Sequence, residues 1–159
     1  CTGAQAPMLE MQKEQLRAQV NAVYGYNAIA RIRITQTAPH GFAEGQAAFS
    51  HAALIQGASR RLVVSGQPGV TPDGRIAAHA DEQIDQIFRN LDIVLKAHDM
   101  TPANVVRLTA YLVQRIHIGP WRRRRDRWLN GHQPAATLVL VDGFADPRFV
   151  AEVELEAVA

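Results

Sequence analysis

The feature that most constrains the fold is an abrupt change of chemistry inside residues 61–74. Arg61-Leu62-Val63-Val64 gives way there to Ser65-Gly66-Gln67-Pro68-Gly69 and then to Val70-Thr71-Pro72-Asp73-Gly74. Four apolar or long-stemmed residues predict a buried strand, and the small, polar, turn-forming residues after it predict that the strand ends beside a pocket. Gly66 and Gly69 would let backbone approach a ligand, and Gln67 offers one acceptor and two donors at the same place. Pro72-Asp73-Gly74 is a turn, because proline presets φ and glycine accepts a left-handed conformation. A strand running into a glycine turn is common in β-containing domains, so the pocket needs support from the rest of the chain.

Taken in order, Met8, Leu9, Leu16, Val20 and Val23 recur near helical spacing and predict an amphipathic helix over 8–23. Residues 28–35 alternate isoleucine with arginine, the pattern of a half-buried strand. After a loop containing Pro39, Gly41 and Gly45, a strand over 47–55 and a turn at 56–59 lead into Arg61–Gly66, which reads as a β-hairpin. Ile84, Ile87, Phe88, Leu91, Val94 and Leu95 fall on one side of a helix from about His79 to His98, with Asp81 and Glu82 in its first turn, where the helix dipole favours them. A strand over 105–113, a helix from Gly119-Pro120 to about Asn130, and strands over 135–141 and 149–158 complete the order. These elements predict an α+β fold, a mixed sheet backed by two helices in residues 46–159, preceded by an extra helix and strand in residues 1–45.

A chain of 159 residues with 47% hydrophobic and 20% charged residues has the composition of an ordinary globular domain. Its one cysteine, Cys1, excludes an intrachain disulfide and points to a reducing compartment, the cytoplasm. Cys1 itself reads either as a lipoprotein terminus or as a cleavage boundary. No apolar run approaches the ~20 residues of a membrane helix. The histidines show neither His-x-His nor His-Glu-x-x-His spacing, Ser65 is not in a nucleophile elbow, and Gly66-Gln67-Pro68-Gly69 lacks the lysine of a phosphate loop. No metal or cofactor is expected. The formal charge is only +2, yet Arg122, Arg123, Arg124, Arg125 and Arg127 cluster; Trp121, Trp128 and Leu129 give the same segment an apolar stripe, so the arginines read as its solvated face.

Several short words occur in one order along residues 47–159. They are Phe49-Ser50-His51-Ala52, Val64-Ser65-Gly66-Gln67 with Pro72-Asp73-Gly74, Asn90-Leu91 through Val94-Leu95, Val105-Val106-Arg107-Leu108-Thr109, Pro134-Ala135-Ala136-Thr137, and Glu154-Leu155-Glu156-Ala157. In that order they resemble the RidA/YjgF family of small trimeric enamine and imine deaminases. The resemblance implies a homotrimer whose clefts between subunits take a small molecule, an arginine that clamps the substrate carboxylate, and a late glutamate that positions water. Carried over, the glutamate is Glu154, the arginine position is Ala136, and an aromatic position usually held by tyrosine is Phe49. A charge-assisted bidentate contact to carboxylate contributes roughly 1.5 to 3 kcal/mol, and alanine supplies none of it. An uncharged imine or enamine would not need the clamp. Residues 20–34 resemble the last helix and strand of the DciA-like family, whose fold is similar to a nucleic-acid-binding KH module.

Glu152, Glu154 and Glu156 alternate with Val153, Leu155 and Ala157, so the carboxylates share one face. Three like charges so placed either all face water or include one that holds its proton more tightly and serves as a proton carrier. His51 shares a strand face with Phe49 and reads either as a donor to ligand or as a structural histidine. Three functions follow: hydrolysis of a small imine or enamine with Gly66 and Gln67 at the substrate, a non-catalytic ligand- or protein-binding member of the same fold, and nucleic-acid binding through Arg31, Arg33 and the 122–127 tract. The last ranks lowest, because net charge is small and the tryptophans are assigned to packing.

Overall fold

A computed structural model describes residues 33–37 and 52–159. The expected helix over 8–23, the start of the strand expected over 28–35, and Phe49 and His51 lie outside them. Strand β1 (Arg33–Thr37) pairs antiparallel with β2 (Ala52–Gln56). The main sheet contains β3 (Arg61–Pro68), β4 (Val105–Leu112), β5 (Ala135–Leu140) and β6 (Ala151–Val158) in the order β3-β6-β4-β5. Its pairs are antiparallel except β4 with β5, so the sheet is mixed. Helices α1 (Ala80–Ala97) and α2 (Ile118–Leu129) complete the α+β arrangement.

The expected hairpin between the strand before residue 56 and the strand at 61–66 is not the pairing observed. β2 pairs with β1, and β3 lies along β6 instead, Val64 opposite Leu155 and Leu62 opposite Ala157. The β3–β6 pair matches apolar residues on one face: Val64, Leu155 and Ala157 are all buried.

The core follows from two periodicities. On α1, Ile84, Ile87, Phe88, Leu91 and Leu95 recur at helical spacing and are all buried. On β6, Ala151, Val153, Leu155 and Ala157 alternate into the same core, as do Leu108, Ala110 and Leu112 of β4. Phe88 stacks on Trp121 with ring centroids 5.1 Å apart and meets Trp128 at 5.3 Å, which joins α1 to α2. Trp128 also donates its indole N–H to Asp92 at 2.6 Å.

Polar contacts then set the position of α1. Gln83, 2% exposed, donates to the carbonyls of Ala77 (2.7 Å) and Arg148 (2.9 Å) and accepts from the Val150 amide (3.1 Å). Asn90 donates to the carbonyls of Pro68 and Val70, tying the helix to the end of β3. Asp99, in the left-handed region at φ 56, stops the helix, and the Met100 amide returns to the Leu95 carbonyl as Met100 buries its side chain.

The arginine cluster divides. Arg122, Arg123 and Arg127 face solvent as the stripe predicts, whereas Arg124 reaches across to Asp85 and Asp81 of α1 and Arg125 is buried against Asp126. The 3.6-residue period carries part of so dense a tract inward, so it is not one solvated face.

Candidate active site on the open sheet face

β3 and β6 do not run in continuous register. Val64 lies opposite Leu155 and Gln67 opposite Val153, so Ser65 and Gly66 together face Glu154. One extra residue in this span is a β-bulge, which bends the strand and re-aims side chains beside it. Gln67 donates its side-chain amide to the Ser65 carbonyl at 3.1 Å, bracing the bulge from within. Gly66 leaves room for a close approach: a Cβ there would lie 2.6 Å from Cδ of Glu152, whose side chain folds across the position. Gly69 closes on the backbone of Gln83 in α1 and is buried there.

Across the sheet, Glu154 pairs with Thr109 of β4, and Thr109 with Thr137 of β5. These residues occupy the face opposite the buried apolar side chains. A shallow cavity of about 270 Å³ on that face is lined by Ser65, Arg107, Thr109, Glu154 and Glu156, among others. The bulge therefore sets Ser65 and Gly66 opposite Glu154, whereas Gln67 lies opposite buried Val153 and does not line the cavity. Nor does Ala136 line it, because the β4–β5 register sets Ala136 beside Leu108, a residue of the buried face.

The three glutamates of β6 look equivalent in sequence and are unlike in the structure. Glu156 accepts from Arg61 Nε at 3.2 Å and Nη2 at 2.7 Å, and its other oxygen lies 3.6 Å from Arg107. Glu152 lies over Gly66. Glu154 accepts from a neutral group, the Tyr111 hydroxyl, at 3.2 Å. The Tyr111 phenol is pushed above its ordinary value, first by desolvation and then by the Glu154 charge, so it remains a donor at neutral pH. Arg107 and Thr109, which line the cavity, and Tyr111, which meets Glu154, are not among the residues the sequence pattern singled out for the site. Their signal was the alternation Arg107, Thr109, Tyr111 between buried Leu108, Ala110 and Leu112.

A mixed sheet with two helices and a carboxylate on its open face defines the class of this chain. Residues 41–159 match the family described as Endoribonuclease L-PSP, and the chain belongs to that family, the YjgF/RidA family. Among its relatives, protein HMF1 of Saccharomyces cerevisiae is 28% identical over 114 residues, spanning 71% of this chain and 84% of HMF1. The crystal structure of YyfB from Yersinia pestis, of the conserved Rid protein family, superposes with a TM-score of 0.71 at 26% identity, over 80% of this chain and 98% of YyfB. RidA from the Antarctic bacterium Psychrobacter sp. PAMC 21119 shares the fold, with a TM-score of 0.60 at 21% identity over 74% of this chain and 92% of that one. No described helix is long and apolar enough to cross a membrane.

Proposed function

We propose that this protein hydrolyses a small, reactive imine or enamine at the Glu154 face, in an assembly of three copies. The observation that carries the reading is the separation of the three glutamates. Glu154 alone lines the cavity while paired with a neutral donor, so its carboxylate is available to hold a water. Glu156, beside it, already has two guanidinium partners.

In the reaction, a water oxygen adds to the imine carbon while Glu154 takes its proton. That proton is passed to nitrogen to give a carbinolamine; the carbinolamine hydroxyl proton then moves through Glu154 to the amine as the C–N bond breaks and the C=O bond forms, and a carbonyl compound and ammonia leave. The substrate needs no carboxylate. Ala136 provides no clamp, Arg124 is engaged by Asp81 and Asp85, Arg125 by Asp126, and Arg107, the guanidinium that lines the cavity, lies 3.6 Å from the Glu156 carboxylate. A cavity of about 270 Å³ is below the ~300–1,000 Å³ usual for ligand pockets, which suits a small substrate and a site completed by a second copy. Val63, 64% exposed beside the cavity, with Val139 and Leu140 on edge strand β5, offers apolar surface for that contact.

Ammonia release from freshly generated imines tests the reading, with light scattering to measure the assembly. Turnover above the uncatalysed rate, sharply reduced in Glu154→Gln, in a particle of three times the 17.5 kDa chain mass, is expected. Equal ammonia release with and without protein would end the hydrolytic reading. The missing guanidinium at Ala136 favours the alternative of a ligand-binding member without turnover. A metabolite at a hundred times its dissociation constant would then stabilise the fold by ~2.7 kcal/mol in a thermal shift.

A further inference from the structure

We infer that Tyr111 is a positioning residue for Glu154, holding one carboxylate oxygen so that the other is presented to the cavity. The inference rests on the hydrolytic role of Glu154 and adds the group that orients it. Tyr111 stands opposite Glu152 in the β4–β6 register, but its hydroxyl donates to Glu154 Oε2 at 3.2 Å. The nearer partner is diverted, because Gly66 leaves room for the Glu152 side chain to fold toward β3. Arg61 and Arg107 draw Glu156 the other way. The Glu152 side chain thus lies toward Gly66 and Glu156 is held by guanidinium groups, which leaves Glu154 as the partner of the hydroxyl.

A neutral donor suits this task better than a cation. Arginine at the same distance would hold the carboxylate as a permanent ion pair, as Arg61 does for Glu156, and oppose its taking a proton from water. A phenol gives one directional hydrogen bond and leaves the second oxygen open.

The test uses the full chain in four forms: wild type, Tyr111→Phe, Glu154→Gln and the double variant. Tyr111→Phe is expected to lower kcat about tenfold with KM within about twofold and the thermal midpoint unchanged, since one hydrogen bond is removed and the ring stays. The double variant is expected to be no slower than Glu154→Gln, because both changes disable one unit. An unchanged kcat in Tyr111→Phe, or multiplicative losses in the double variant, would overturn the inference.

A second readout does not depend on turnover. Phenolate absorbance, taken as the difference between each form and its Tyr111→Phe counterpart, follows Tyr111 alone. The groups acting on it are Glu154, Glu152 and Arg107, and its midpoint is expected to fall in Glu154→Gln as one negative neighbour is removed. A midpoint that does not move refutes the pairing even if the imine assay fails. Loss of turnover in every form with the midpoint shift intact refutes the hydrolytic reading instead.

Discussion

Replacing Gly69 with alanine isolates the contact that seats α1 against the end of β3. A Cβ at residue 69 would lie 2.7 Å from Cα and 2.8 Å from the carbonyl carbon of Gln83. Carbon atoms in contact prefer about 3.5–4.0 Å, so a shift of about 0.7 Å or more is demanded. The obstacle is backbone, and Gln83 is pinned by hydrogen bonds of 2.7, 2.9 and 3.1 Å to two segments of chain, at Ala77 and at Arg148 and Val150. Overpacking of this kind costs about 1–3 kcal/mol, and the rigid neighbour places it toward the upper end. The lower unfolded-state entropy of alanine offsets about 0.4–1 kcal/mol. The net loss is therefore about 2 kcal/mol, which lowers Tm by on the order of 10 °C for a domain of this size. In urea the midpoint should fall by about 1 M with m unchanged. Gly66→Ala is the control: its obstacle is the movable side chain of Glu152, so the loss should stay below about 1 kcal/mol. A Gly69→Ala protein as stable as the wild type would refute the inference that backbone contact, rather than a ligand, accounts for Gly69.

Other consequences follow from single contacts. The Arg148 guanidinium and amide hold the Asp146 carboxyl down at about 2. Because the folded value is depressed, its contribution to stability is present above the ordinary value near 3.8 and is lost as pH falls from about 4 toward 2. NMR titration should find that low midpoint and return it toward 3.8 in Arg148→Ala; an unmoved midpoint would show that Arg148 is not its cause. Arg124 links α2 to Asp81 and Asp85 of α1, so Arg124→Met, which keeps the apolar stem, should cost about 1 kcal/mol in urea unfolding. Unchanged stability would leave the aromatic contacts of Phe88 and the Trp128–Asp92 hydrogen bond as the connections between the helices.

Much of the fold was legible because its signals are local. The helix expected from His79 to His98 is observed over Ala80–Ala97, and the strand expected over 105–113 is observed over Val105–Leu112. The Pro72-Asp73-Gly74 turn also forms, with Gly74 at φ 81 and its amide bonded to the Thr71 carbonyl. The site was legible only in outline. The bulge opposite Glu154, the diversion of Glu152 and the Tyr111 contact all depend on strands far apart in the chain, and no local pattern specifies their partners.

The amino-acid order alone determined which faces are apolar and where elements start and stop, since side-chain direction repeats every 2 residues in a strand and 3.6 in a helix. Tertiary structure decided what those faces meet: β3 took β6 rather than β2, Gly69 took the backbone of α1, and three carboxylates in equivalent settings acquired unlike neighbours. Periodicity is a property of the chain itself, whereas the partner of a carboxylate is a property of whichever strand is packed beside it.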